Sequence, residues 1–208
     1  MIEQGTDAWK ALRCGKATAS KMADLTARTK TGWGASRANY AAQLVAERLT
    51  GTVAESFTNA AMQWGTEKEP EARAAYEFYR NCDVEQVPFV DHPRIAMSGA
   101  SPDGLIGSVG LVEIKCPRPA GHIATLRSGK APADYLPQMI LQMACTGAQA
   151  VDFVSYCSAM PDKARLCIVR IERDDKVVEE MEDKVRAFLA DVEDAVRQVL
   201  NYSHKEAA

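Results

Sequence analysis

With 208 residues, 47% of them hydrophobic and 25% charged, the chain has the size and composition of one compact domain with a sizeable core. No apolar run approaches the roughly 18 residues of a membrane span, and the six cysteines (Cys14, Cys82, Cys116, Cys145, Cys157, Cys167) and three histidines lack the spacing of a zinc or iron–sulfur site. A net charge of −3 argues against a nucleic-acid partner as a bulk figure, but its distribution does not. Residues 1–50 hold eight Lys or Arg against four acids, Lys115 to Lys130 four bases and no acid, and Glu172 to Ala208 eleven acids against six bases. Such a chain can present a local basic surface while staying near neutral overall; ordinary solvated faces would give the same counts. The start, "MIEQGTDAWK", lacks the basic-then-apolar order of a secretory signal, so a cytosolic protein is expected.

In chain order, "ASRANYAAQLVAERLTG" predicts a helix, with Tyr40, Leu44, Val45 and Leu49 at helical spacing, Ser36 as cap and Gly51 as stop. "EPEARAAYEFYRN" predicts a second. From Val84 the pattern shifts to short β-prone runs, "VEQVPFV", "RIAMS", "DGLIG" and "LVEIKC", separated by Pro and Gly. Helices are expected at "AGHIATLRSG" and "ADYLPQMILQMACTG", then strands at "AVDFVSYC" and "RLCIVRIE". A long last helix carries an apolar stripe of Met181, Val185, Phe188, Val192, Val196 and Val199 or Leu200, which reads as core or oligomer contact. Without repeats or long linkers, one unit over 1–208 is expected: a mainly helical part (1–80), a sheet core (84–171) and a terminal helix (172–208). Helices, an antiparallel meander, then helix, strand, strand and helix predict an α/β fold with a central mixed sheet flanked by helices.

The stretch "SPDGLIGSVGLVEIKCP" (101–117) carries the chemistry. With period two, Val112, Ile114 and Cys116 share one face of a strand, while Glu113 and Lys115 share the other. If the hairpin brings Asp103 to Glu113, the two carboxylates require a cation between them. Oxygen donors without His or thiolate favour Mg²⁺ or Mn²⁺. The Ile114 carbonyl is the natural third donor, a coordinated water the nucleophile, and Lys115 the cation that orients it or offsets transition-state charge. The plain alternative is a "PDG" turn and an exposed "EIK" edge. Asp ahead of the strand pair with Glu inside it favours catalysis.

This arrangement resembles the PD-(D/E)xK nucleases, and within them the phage lambda exonuclease family of viral recombinase or alkaline exonuclease type. The resemblance extends in collinear order through "WKALRCGKATAS", "QWGTEKEPEAR", "SPDG" with "GLVEIKCP", "YLPQMILQM" and, less specifically, "VRIERDD". It implies a restriction-endonuclease-like core in which Asp103, Glu113 and the Ile114 carbonyl bind two Mg²⁺ ions, with Mn²⁺ as substitute. Lys115 would serve the attacking water and Glu69 would assist. Arg13, Ser20 and Ser101 would hold a terminal 5′-phosphate, with Gln138 near that pocket or the scissile phosphate. An Arg fork with hydroxyls suits a phosphate dianion better than an internal diester. Each residue also has an ordinary reading: Arg13 a surface charge beside Trp9, Ser20 a helix cap, Gln138 and Gln142 the wet face of a helix. Glu69 precedes Pro70, which places it at a helix start or kink, and Glu67 or Glu71 could take its role. His92 and His122 read as structural or solvated.

The expected function is thus an Mg²⁺-dependent 5′-to-3′ exonuclease on double-stranded DNA ends. It would release mononucleotides and leave 3′ overhangs for phage-type homologous recombination. The resemblance further implies a homotrimer ring around DNA, a single-strand annealing protein as partner, and a phage or prophage gene product in the bacterial cytoplasm. Two alternatives stand: a restriction-like or structure-specific endonuclease, and a non-catalytic DNA-end-binding scaffold.

Overall fold

The computed structural model describes residues 2–54 and 60–202. Thr6 starts α1 (Asp7–Arg13) by accepting from the Trp9 amide at 3.3 Å. The chain continues through β1 (Ala17–Thr18), α2 (Met22–Thr26), a hairpin of β2 (Arg28–Thr29) and β3 (Gly32–Trp33), and α3 (Ala35–Thr50). Tyr40 and Leu44 bury the predicted stripe of α3, and Gly51 ends it in the left-handed region at φ +67°. Ser36 is not its cap: Gly34 holds that position without a side-chain bond, and Ser36 lies inside the first turn.

Helix α4 (Ala60–Arg80) begins well before the predicted start at Glu69 and runs through Pro70. Proline after glutamate reads as a first helical position, but Ala72 and Tyr76 bury the helix against the sheet and hold it continuous. β4 (Val90–Asp91), β5 (Ser98–Ala100), β6 (Gly104–Ile106) and β7 (Gly110–Lys115) follow. After them come α5 (Pro119–Ser128), α6 (Leu136–Thr146), β8 (Ala150–Tyr156), β9 (Leu166–Glu172) and α7 (Asp175–Leu200). Asp174 caps α7 by accepting from the Lys176 and Val177 amides.

The expected meander is divided between two sheets. β4 and β5 pair with β1 in a small sheet ordered β1-β5-β4, while the main sheet runs β6-β7-β8-β9. The "RIAMS" run is largely a turn because His92 Nδ1 accepts the amides of Arg94 (3.1 Å) and Ile95 (3.2 Å), and Met97 adopts φ +60°. In the main sheet β7 runs parallel to β8 and the outer pairs are antiparallel, so the mixed α/β architecture stands. A parallel pair needs a crossover, and α5 and α6 supply it. Helix α6 consequently lies against the sheet where β7 ends.

Both faces of the main sheet are covered. Val112, Ile114 and Cys116 pack with Ala72 and Tyr76 of α4; Leu111, Val151 and Phe153 pack with Met139 and Met143 of α6. A third cluster joins α2, α3, α6 and α7 around Leu44, Leu141, Val185 and Phe188. Among the described residues no helix is long and apolar enough to cross a membrane.

Candidate active site

The register of the β6–β7 hairpin fixes the central geometry. Gly104 pairs with Val112, so Asp103, one step before β6, falls opposite Glu113. The Asp103 carboxylate accepts from the Ile114 amide at 2.6 Å. In a strand the amide and carbonyl of one residue point to the same side. The Ile114 carbonyl therefore faces the side where Asp103 stands, just ahead of the start of β6. The Asp-Gly step is not a turn: a Cβ on Gly104 would lie 2.1 Å from Val84 Cγ1, so close packing requires the glycine.

The face that carries Glu113 and Lys115, exposed in the plain alternative, is closed over by α6. Glu113 is 0% exposed. Its Oε1 accepts from Lys115 Nζ and from Gln138 Nε2 at 2.6 Å, and its Oε2 accepts from Gln142 Nε2 at 2.6 Å. A buried carboxylate requires such partners. Lys115 also lies 5.2 Å from the Tyr135 ring centroid. Burial opposes its charge, but the Glu113 and Asp103 carboxylates outweigh that effect and raise its pKa above the ordinary lysine range. Burial, then the Glu113 charge, pushes Asp103 well above the usual carboxylate range.

Glu69 projects from α4 near enough for Lys115 and Glu113 to influence its ionisation. Burial raises its pKa, partly offset by Arg73, whose Nη2 donates to it at 2.5 Å. Of the neighbouring candidates, Glu71 is engaged with the Tyr156 hydroxyl at 2.6 Å and Lys68 at 2.9 Å, and Glu67 is exposed.

A second constellation lies beside the first, because Ser101 is two residues from Asp103. Arg13 donates to Ser101 Oγ (3.3 Å), Thr18 Oγ1 (3.4 Å) and Ser20 Oγ (3.1 Å). Its guanidinium lies 4.1 Å from the Trp9 ring centroid, and Trp9 Nε1 donates to Ser101 Oγ at 3.0 Å. Burial lowers the Arg13 pKa from its very high ordinary value. Ser20 caps no helix; α2 begins after Lys21. His122 is structural, bonded to Ser155 Oγ (2.8 Å) and the Ala164 carbonyl (2.7 Å).

The sequence reading missed Thr18, Tyr135 and the contact of Gln142, and took Trp9 only as a neighbour of Arg13. Trp9 stands one helical turn before Arg13, and Gln142 is a polar residue between apolar neighbours on α6. Those two spacings were the available signals.

The donor set suits a hard divalent ion. Among the described residues no group of three His, Cys, Asp or Glu gathers for a metal. Asp103, Glu113 and a main-chain oxygen nonetheless match an ion that keeps several waters.

Residues 8–149 match the YqaJ-like viral recombinase domain. The chain belongs to that family. It is also similar to the alkaline exonuclease from Laribacter hongkongensis, at 50% identity over 93% of this chain and 96% of that one, with a TM-score of 0.86. The structure of the same exonuclease in complex with dAMP gives 50% identity, the same coverage and a TM-score of 0.87. A phage-related exonuclease from Haemophilus somnus 129PT shares the fold, at 14% identity over 88% of this chain and 96% of that one, with a TM-score of 0.71. Comparison with functionally curated proteins gave no match. This YqaJ-like recombinase thus has a restriction-endonuclease-like core and is by family a DNA exonuclease, a class that generally works with a metal.

Proposed function

We propose that this YqaJ-like protein is an Mg²⁺-dependent hydrolase that degrades one strand of double-stranded DNA from a 5′-phosphorylated end. It releases 5′-mononucleotides and leaves 3′ single strands for recombination. The observation that carries this reading is the pairing of two sites through one short segment. Ser101 faces the Arg13 fork, and Asp103 faces Glu113. An end phosphate seated on the first would place the adjoining diester at the second. The mononucleotide bound to the Laribacter exonuclease supports release of single nucleotides.

Asp103, Glu113 and the Ile114 carbonyl would hold the metal, with Mn²⁺ able to replace Mg²⁺ and two ions expected. When bound, such ions activate a coordinated water and offset charge on the leaving oxygen. Lys115, fixed by Glu113, orients the nucleophile and supplies positive charge as the transition state forms. Gln138 keeps Glu113 in place, and Glu69 assists from α4. Arg13, Ser20 and Ser101 bind the terminal phosphate dianion through a cationic fork and two hydroxyls. Trp9 fixes the plane of that fork. The wider setting proposed is one nuclease domain over 1–208, a homotrimer ring, a single-strand annealing partner, and the cytoplasm of a bacterium carrying a phage or prophage.

The deciding experiment digests linear duplexes with 5′-phosphoryl or 5′-hydroxyl ends, beside a closed circle, with Mg²⁺ or EDTA. Mg²⁺-dependent mononucleotide release from phosphorylated linear ends is expected. Cutting of the circle would replace this reading with an endonuclease, and binding of ends without turnover would leave a scaffold.

A further inference from the structure

The side chain of Gln142 has no part in the reading above, yet it is 0% exposed and aimed at the centre of the site. Its Nε2 lies 2.6 Å from Glu113 Oε2, and its own Oε1 is buried without a hydrogen-bond partner among the described residues. The amide has only one workable orientation, because turning it over would set its oxygen against a carboxylate oxygen. Gln142 is therefore held as a donor to Glu113 at the expense of its own acceptor, an arrangement that costs stability where nothing else is gained.

Acceptor capacity shows what the contact does. An ionised carboxylate offers about four lone-pair sites, two on each oxygen. Lys115 and Gln138 take both on Oε1, and Gln142 takes one on Oε2. Among the described residues nothing donates to the remaining site, which is on Oε2, the oxygen that Gln142 holds. We propose that Gln142 is a positioning residue that fixes the Glu113 carboxylate plane and directs the free side of Oε2 toward the divalent cation. The inference rests on the metal-site reading given above and adds to it a residue that sets cation affinity without touching the DNA or the cation.

The test is calorimetric titration of Mn²⁺ into the DNA-free full-length protein, with melting curves as a check on folding. Gln142→Met keeps the length and volume of the side chain and removes the donor. It is expected to bind Mn²⁺ about 10-fold more weakly than wild type, the usual loss when a ligand's hydrogen-bond partner is removed. Gln142→Asn keeps the amide but is one methylene too short to reach Oε2, so it should show the same loss. It decides the matter if the Met variant does not melt cooperatively. Mn²⁺ affinity unchanged in a folded variant would overturn the proposal. Wild-type protein that takes up no Mn²⁺, or Asp103→Asn that takes it up as well as wild type, would remove the metal-site reading and this inference with it. Loss of Mn²⁺ affinity with an unchanged preference for phosphorylated ends is the result that a general packing defect would not give.

Discussion

Asp103 is held against its own charge. Burial first and Glu113 second raise its pKa in the folded chain above the ordinary value of about 3.9. The folded state thus binds this proton more tightly than the unfolded state does. Its contribution is full below the ordinary pKa and is lost as pH rises toward the folded value. In metal-free protein at pH 8, Asp103→Asn should raise Tm by about 2–4 °C, the shift that ~1 kcal/mol gives in a chain of this size. The gain should vanish near pH 3, where the aspartic acid is protonated in both states. Mg²⁺ should raise the Tm of wild type but not of the variant, and the variant should not cut DNA. An Asn variant that melts lower at pH 8 would show that the carboxylate is not under this stress. Arg13 makes a complementary case at the other site. Arg13→Lys keeps a cation but loses the fork that reaches Ser101 and Ser20 and the planar stack on Trp9. Loss of one charge-assisted hydrogen bond, ~1.5 kcal/mol, should cut the preference for phosphorylated over hydroxyl ends about 10-fold in competition digests. An undiminished preference would separate Arg13 from end recognition.

At the level of elements, legibility followed local period. β7, β8 and β9 carry dense β-branched runs, and α7 carries an uninterrupted stripe, so both appear where the sequence predicts them. The small sheet was not legible, because β1 meets β5 by a parallel pairing across some eighty positions and only two residue pairs define it. The early start of α4 was hidden by Pro70, whose local meaning was overridden by the burial of Ala72 and Tyr76. Asp103, Glu113 and Lys115 were nameable from residue type and order, whereas Arg13, Ser20 and Ser101 came only from the family resemblance. The enclosure of Glu113 by α6 depends on the crossover, which no local pattern encodes. The same dependence governs stability in the helical layer. Phe188 is fully buried on α7 and stacks on Tyr40 of α3 with ring centroids 5.3 Å apart. Phe188→Ala should cost about 3–5 kcal/mol in urea unfolding. Protein that remains folded should keep its metal dependence, because this contact lies in the helical cluster and outside the site. A loss under 1 kcal/mol would mean that α7 is not seated on α3 as described.

For the whole molecule, the charge map bears on how a weakly acidic chain would engage DNA. The acidic helix α7 does not stand wholly apart from the basic front of the chain. Asp191 pairs with Arg37 at 2.6 Å and Glu193 with Arg48 at 3.2 Å, while Glu182 receives Arg94 and Arg186. Part of the positive charge counted in residues 1–50 is therefore spent inside the fold. Other cations lie elsewhere: Arg118, three residues after Lys115, and Lys68, adjacent to Glu69, flank the Trp64 ring at 4.4 and 5.4 Å. A small set of phosphate contacts makes end loading sensitive to salt, with about three contacts giving a log–log slope near −3. Retention by a closed ring would not follow that slope, because topology rather than counterion release would hold the strand. Sedimentation should accordingly find a species of three times the 22.7 kDa chain. In digests chased with excess unlabelled ends, raising salt from 50 to 200 mM should then reduce the number of duplexes entered while leaving the length digested per entry nearly unchanged. If both quantities fall together along the same slope, the strand is held by charge alone and the ring proposal is lost, while the nuclease site stands untouched.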